Sequence, residues 1–102
     1  MNPSKVSREN VSKMTDLPNV GKIVAHDLAL IGIVRPEDLM GQDPYELYVR
    51  FCRAFQEKKD PCTLDVLMSI TDFMNGNEPR PWWEYTPLRK KHYGENIIVT
   101  LD

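Results

Sequence analysis

Leu17-Pro18-Asn19-Val20-Gly21-Lys22 is the stretch on which the reading of this chain turns. Apolar residues recur at helical spacing on both sides of it: Val11, Met14 and Leu17 before, and Val20, Ile23, Val24, Leu28 and Ile31 after. Pro18 has no N–H and its ring clashes with the preceding turn, so it stops the first helix. Asn19 and Gly21 are residue types that tolerate positive φ, which so sharp a turn calls for. Gly21 then opens the second helix with no side chain over its first N–H groups. Those groups have no partner inside the helix and sit at the positive end of its dipole. A phosphate oxygen suits that place, and Lys22 adds a charge beside it. The stretch reads as a phosphate-cradling hairpin or, failing that, as a tight turn between two helices.

The chain has 102 residues, which suits one domain with a core that needs neither metal nor disulfide. Its 13 Lys and Arg against 15 Asp and Glu leave a formal charge of −2. Proteins that grip nucleic acid chiefly by charge are strongly basic, so DNA binding here would rest on a local patch. Lys5, Arg8, Lys13 and Lys22 make the first 26 residues basic, and Arg80 with Arg89-Lys90-Lys91 restores that character late in the chain. Between them, Asp27, Glu37, Asp38, Asp43, Glu46 and Glu57 outnumber Arg35, Arg50 and Arg53.

No apolar run is long enough to span a membrane, and Met1 to Lys5 lacks the apolar core of a signal peptide. A cytoplasmic location is expected, with Cys52 and Cys62 as reduced thiols. No zinc-ligand spacing, nucleophile motif, P-loop or dinucleotide fingerprint is present, and His26 and His92 stand far apart. The expectation is no enzyme, no catalytic residue, no cofactor and no metal.

Taken in order, the sequence predicts an all-α fold of five helices within residues 7–76, followed by a tail at 77–102 on the same domain. The first helix runs from an N-cap at Ser7 to about Asp16. The second runs from about Val20 to Ile31, with Gly32 as its left-handed cap and Ile33 folding back. A short helix spans Pro36 to Met40. Asp43-Pro44 and Asp60-Pro61 each pair an N-cap side chain with proline at the first helical position. They start helices running to about Lys58 and Met74. Tyr45, Tyr48, Cys52 and Phe55 form the stripe of the former. Leu64, Leu67, Met68, Ile70 and Phe73 give the latter the broad apolar face of a central helix.

Pro79, Pro81 and Pro87 rule out a continuous helix in the tail, whose Trp82 and Trp83 either complete the core or offer a stacking surface for a base. Residues 96–102 are apolar enough for a short strand, loose or paired in a dimer. There is also a faint internal echo: Leu39 to Asp43 repeats the place of Leu17 to Gly21, 22 residues on.

The Leu17-to-Gly21 pattern resembles the helix-hairpin-helix motif, apolar-x-Gly-apolar-Gly, with Asn19 in place of the first glycine. Together with Gly32-Ile33, Pro36-Glu37-Asp38-Leu39, Tyr45 to Phe51 and Pro61-Cys62-Thr63-Leu64, the chain resembles the C-terminal domain of the TfoX competence regulators. With Pro81-Trp82-Trp83-Glu84-Tyr85-Thr86 added, residues 7–90 are similar to the bacterial pathogenicity-locus family, whose members also carry the label "mitomycin resistance protein". The resemblance implies a sterile-alpha-motif-like helical fold and a DNA-binding role.

Two functions from different classes follow. One is a DNA-binding module that contacts backbone phosphate without reading bases, through Asn19, Val20, Gly21, Lys22, Ile23 and His26. The other is a protein–protein interaction module, which the acidic 27–57 segment and the near-neutral total charge favour.

Overall fold

A computed structural model describes residues 1–101. Among them there is no strand, and the regular structure is four α-helices and five short 3-10 turns. The helices are α1 (Lys22–Leu30), α2 (Pro44–Phe55), α3 (Pro61–Met74) and α4 (Thr86–Tyr93). Three of them, not five, lie within residues 7–76.

The starts of α2 and α3 are as expected. Asp43 accepts the Tyr45 N–H at 2.9 Å and Asp60 accepts the Cys62 N–H at 2.8 Å, each with proline next in the chain. α1 ends where Gly32 takes φ +87, so that Ile33 N–H reaches back to Leu28 O at 3.0 Å and Ile33 is buried. α2 is shorter than expected, because Gln56 turns left-handed at φ +52 and Glu57 N–H closes onto Cys52 O. Its buried stripe is Leu47, Tyr48, Phe51 and Cys52, while Tyr45 and Phe55 are half-buried.

The first expected helix, Ser7 to Asp16, does not form. Its place is taken by two short 3-10 turns, Arg8–Asn10 and Met14–Asp16. The Asp16 carboxylate accepts the N–H groups of Ser12 and Lys13, each at 3.0 Å, and so competes with helical pairing of that backbone. Arg8 leaves this arm to cap the far end of α3. Its two terminal nitrogens donate to Phe73 O and Asn77 O at 2.7 and 2.6 Å, with the guanidinium 4.0 Å above the Phe73 ring. The short helix at Pro36 to Met40 is likewise a 3-10 turn, Pro36–Leu39, and Asp38 accepts the N–H groups of Val34 and Arg35 at 3.0 Å.

α3 is the central element. Leu64, Leu67, Ile70 and Phe73 are buried on one side of it, and Asp65, Ser69 and Thr71 are buried polar groups elsewhere on it. The tail docks there. A 3-10 turn, Trp82–Tyr85, runs directly into α4. Tyr85 O–H donates to Asp72 Oδ2 at 2.6 Å, and burial together with that carboxylate pushes its phenol well above the ordinary tyrosine range.

Asp65, fully buried, accepts from Arg89 Nε at 2.6 Å and from Thr86 Oγ1 at 2.7 Å. Tyr85 and Arg89, rather than the two tryptophans, are therefore the buried anchors of the tail; Trp82 is half-buried and Trp83 is 59% exposed. Residues 97–101 form no strand and are not a loose end. They lie extended along α2, with Ile97 buried and the carbonyls of Ile98, Thr100 and Leu101 accepting from Tyr45, Arg53 and Gln56. Asp102, the last residue of the expected strand, lies outside the described residues.

Candidate nucleic-acid interface

The hairpin joins a 3-10 turn to α1, not two α-helices. Leu17 and Val20 are buried at 0% and 1% exposure and fasten it to the core. Val20 is thus a core residue with no side chain to offer a ligand. Asn19 takes the left-handed conformation at φ +66, as its residue type suggested. Its side chain, however, is already bound: Nδ2 donates to Ser69 Oγ at 2.9 Å and to Arg80 O at 2.8 Å. Asn19 is a clasp between hairpin, α3 and tail rather than a phosphate ligand. Its own N–H donates to Met1 O at 2.8 Å, while the Met1 ammonium donates to Leu17 O and Val20 O. Desolvation there lowers that ammonium below the ordinary range of an amino terminus.

Gly21, Lys22, Ile23 and His26 are exposed. Gly21 does not use positive φ; it is extended at φ −100, ψ −172 and serves as the N-cap of α1 with no side chain to cap it. A Cβ built there meets nothing within 4 Å. The first N–H groups of α1 therefore face open surface. Lys22 makes no ion pair among the described residues. Ile23 is 79% exposed. The His26 imidazole lies 3.7 Å from Asp27, which offsets any charge it would carry toward a phosphate.

The remaining cations gather only in part. Lys5 and Asp16 line a small cleft beside Met1. Arg89 is withdrawn into its pair with Asp65, leaving Lys90 and Lys91 exposed on α4. Arg80, through the carbonyl that Asn19 holds, is brought beside the hairpin, which residue order alone does not show. An asparagine at a left-handed position announces the turn and not the partner of its amide.

A second hairpin provides an internal standard. Met14–Asp16, buried Leu17, left-handed Asn19, N-cap Gly21 and α1 recur 22 residues later as Pro36–Leu39 with buried Leu39, left-handed Gly41 at φ +76, N-cap Asp43 and α2. Even the carboxylates correspond, Asp16 and Asp38 each accepting the N–H groups three and four residues before. The faint echo in the sequence is a structural repeat. The two units differ at the N-cap: Asp43 covers its helix end with a carboxylate, and Gly21 leaves its helix end bare.

No group of three or more His, Cys, Asp or Glu side chains suited to a metal ion occurs among the described residues. No helix is long and apolar enough to cross a membrane. Both cysteines are free, and burial pushes the Cys62 thiol up, away from the reactive range.

Residues 7–91 match the family model described as Pathogenicity locus. Over 80 residues the chain is 48% identical to "Mitomycin resistance protein McrB" of Streptomyces lavendulae, a match covering 78% of this chain and 76% of that protein. No solved structure matches. The chain belongs to the Pathogenicity locus family.

Proposed function

We propose that the protein is a DNA-binding module whose Gly21–Ile23 end of α1 contacts backbone phosphate without reading sequence, in the manner of a helix-hairpin-helix unit within a sterile-alpha-motif-like domain. The observation that carries this reading is the contrast between the two hairpins. The same backbone plan is built twice, and only the first leaves its helix amides uncovered, next to a lysine that makes no ion pair among the described residues. Asn19 and Val20 hold that end in place, and Gly21 and Lys22 meet the ligand.

Each phosphate neutralised adds about 0.9 to the slope of log affinity against log salt. With a net charge of −2 and few free cations near the hairpin, the slope is shallow and the affinity no better than about micromolar. One observation favours the alternative, a protein-interaction module: Ile23, an apolar side chain at the tip of the hairpin, is 79% exposed.

The test is a salt titration of fluorescent DNA against the wild type, Gly21→Asp and Lys22→Ala. Binding at low salt that Gly21→Asp abolishes and Lys22→Ala weakens supports the phosphate reading. A folded Gly21→Asp protein that binds equally well sinks it. The name of the Streptomyces relative adds a cellular readout, in which the chain raises tolerance to mitomycin and Gly21→Asp removes the gain.

A further inference from the structure

Trp83 is the largest exposed apolar side chain among the described residues, 59% open to solvent. It is nevertheless held firmly. Glu84 N–H closes the 3-10 turn onto Pro81 O at 3.1 Å, and Trp82 stands edge-on to it with ring centroids 5.8 Å apart. Tyr85, the residue after that turn's Glu84, is pinned to Asp72. Pro79, Pro81 and Pro87 stiffen the surrounding backbone.

Its position is fixed relative to the hairpin by the Asn19 clasp. Asn19 Nδ2 holds the Arg80 carbonyl at 2.8 Å, and Trp83 follows Arg80 by three residues, a reach of about 10 Å at most. Exposed Arg80 and exposed Lys22 lie on the two sides of that clasp. An exposed indole on a closed backbone turn, three residues after an exposed arginine, has the two groups that bind a base and its phosphate together. The ring face stacks on any base, and the cations follow the backbone. Immobilising the ring beforehand removes much of the ordering cost that a mobile tryptophan would add. Glu84, beside Trp83 and exposed, opposes this and limits affinity.

We propose that Trp83 is a stacking platform for an unpaired base, with Arg80 beside it, so that the protein prefers single-stranded or locally opened DNA to intact duplex. The preference for the unpaired form deepens the phosphate-binding reading above and rests on it for the second contact; the stacking itself stands on Trp83 alone.

The experiment uses the full chain carrying Trp82→Phe, which leaves Trp83 the only indole, titrated with a single-stranded oligonucleotide and with the matching duplex. Trp83→Ala, Gly21→Asp and Glu84→Gln are compared by fluorescence anisotropy of labelled DNA. The expected result is quenching of Trp83 by the single strand. Trp83→Ala should weaken single-strand binding by roughly 5- to 150-fold while leaving duplex binding within about twofold. Glu84→Gln should tighten single-strand binding.

Circular dichroism checks that Trp83→Ala is folded, which its exposure favours. Quenching that survives Gly21→Asp upholds the platform while removing the hairpin contact. Equal binding of both DNA forms with no effect of Trp83→Ala overturns the platform and leaves the hairpin reading standing. Absence of binding to either form overturns both. Concentration-dependent self-association that Trp83→Ala abolishes, without any quenching by DNA, overturns the platform alone, because the ring is then a protein contact.

Discussion

The first hairpin and the second follow one plan and end differently. Each begins with a 3-10 turn closed by a carboxylate, buries a leucine, passes through a left-handed residue and starts a helix. In the second, every position serves the fold: Gly41 makes the turn at no steric cost and Asp43 caps α2. In the first, Asn19 makes the turn and also bolts the hairpin to α3 and the tail, while the N-cap is given to a glycine that caps nothing. The space at Gly21 would admit an aspartate. The bare helix end is therefore where the two units part, and it is the feature on which the proposed phosphate contact rests.

The comparison breaks most visibly at the buried leucines. Leu17 and Leu39, both fully buried, hold the two units to the shared core. Leu17→Ala and Leu39→Ala should each cost about 2–5 kcal/mol, measured by urea denaturation, and should do so to a similar degree if the units are equivalent. A loss confined to one of them would show that only one hairpin is integral to the core.

The left-handed positions come next. Asn19→Gly keeps the backbone and removes the bridges to Ser69 and Arg80, so it should cost about 1–3 kcal/mol by leaving the Ser69 site short of a partner. Gly41→Ala forces a Cβ into φ +76 and should cost about 1 kcal/mol through strain alone. Asn19→Gly should also weaken the protection of the Arg80–Trp83 segment from proteolysis, whereas Gly41→Ala should not.

Acid provides a third comparison. Backbone N–H groups of Ser12 and Lys13 hold the Asp16 carboxyl below the usual carboxylate range, and those of Val34 and Arg35 do the same for Asp38. A carboxyl depressed in the folded state binds its proton more readily in the unfolded chain. Stability from both is therefore fully present above the ordinary carboxylate range, near pH 4, and is lost as pH falls through and below it. Thermal melts from pH 7 to pH 3 should show this loss, and Asp16→Asn and Asp38→Asn should each flatten the same part of the curve by a comparable amount.

Much of this plan could be read from residue order. Asp43-Pro44 and Asp60-Pro61 placed α2 and α3, because a capping carboxylate followed by proline acts locally. The repeat showed at Leu17 and Leu39. Three things were illegible, two of them because they depend on a distant partner. The 7–16 segment has helical spacing, yet Asp16 and the reach of Arg8 to the end of α3 fix it as turns. Pro87 looked like a breaker but occupies the second position of α4, where no N–H is needed. Arg89 looked like part of a basic run until Asp65, 24 residues away, claimed it. The same dependence hid the site. Gly21 was readable as an open helix end, while the commitment of Asn19 and the approach of the Arg80 carbonyl appear only in three dimensions.

The smallest expected effect on stability is the most informative one. Gly21→Asp gives the first hairpin the N-cap of the second, and the new carboxylate accepts an N–H of α1 as Asp43 does for α2. Because Gly21 is extended and its surroundings are empty, no strain accompanies the change. A carboxylate at the positive end of α1 is favourable in itself, so stability should rise by a few tenths of a kcal/mol. The reciprocal variant, Asp43→Gly, should lose a similar amount and bare the end of α2. The two exchanges nearly cancel in stability but not in ligand binding. Gly21→Asp fills the amide end where phosphate is proposed to sit and sets a negative charge there. Asp43→Gly creates an equally bare end, but one followed by Pro44, Tyr45 and Glu46 rather than by Lys22. If the bare amides alone bind DNA, the double exchange should retain binding at the second hairpin. If the neighbouring lysine is needed as well, the double exchange should be as inactive as Gly21→Asp, and that is the outcome expected. Urea denaturation and DNA titration on the three variants together decide it.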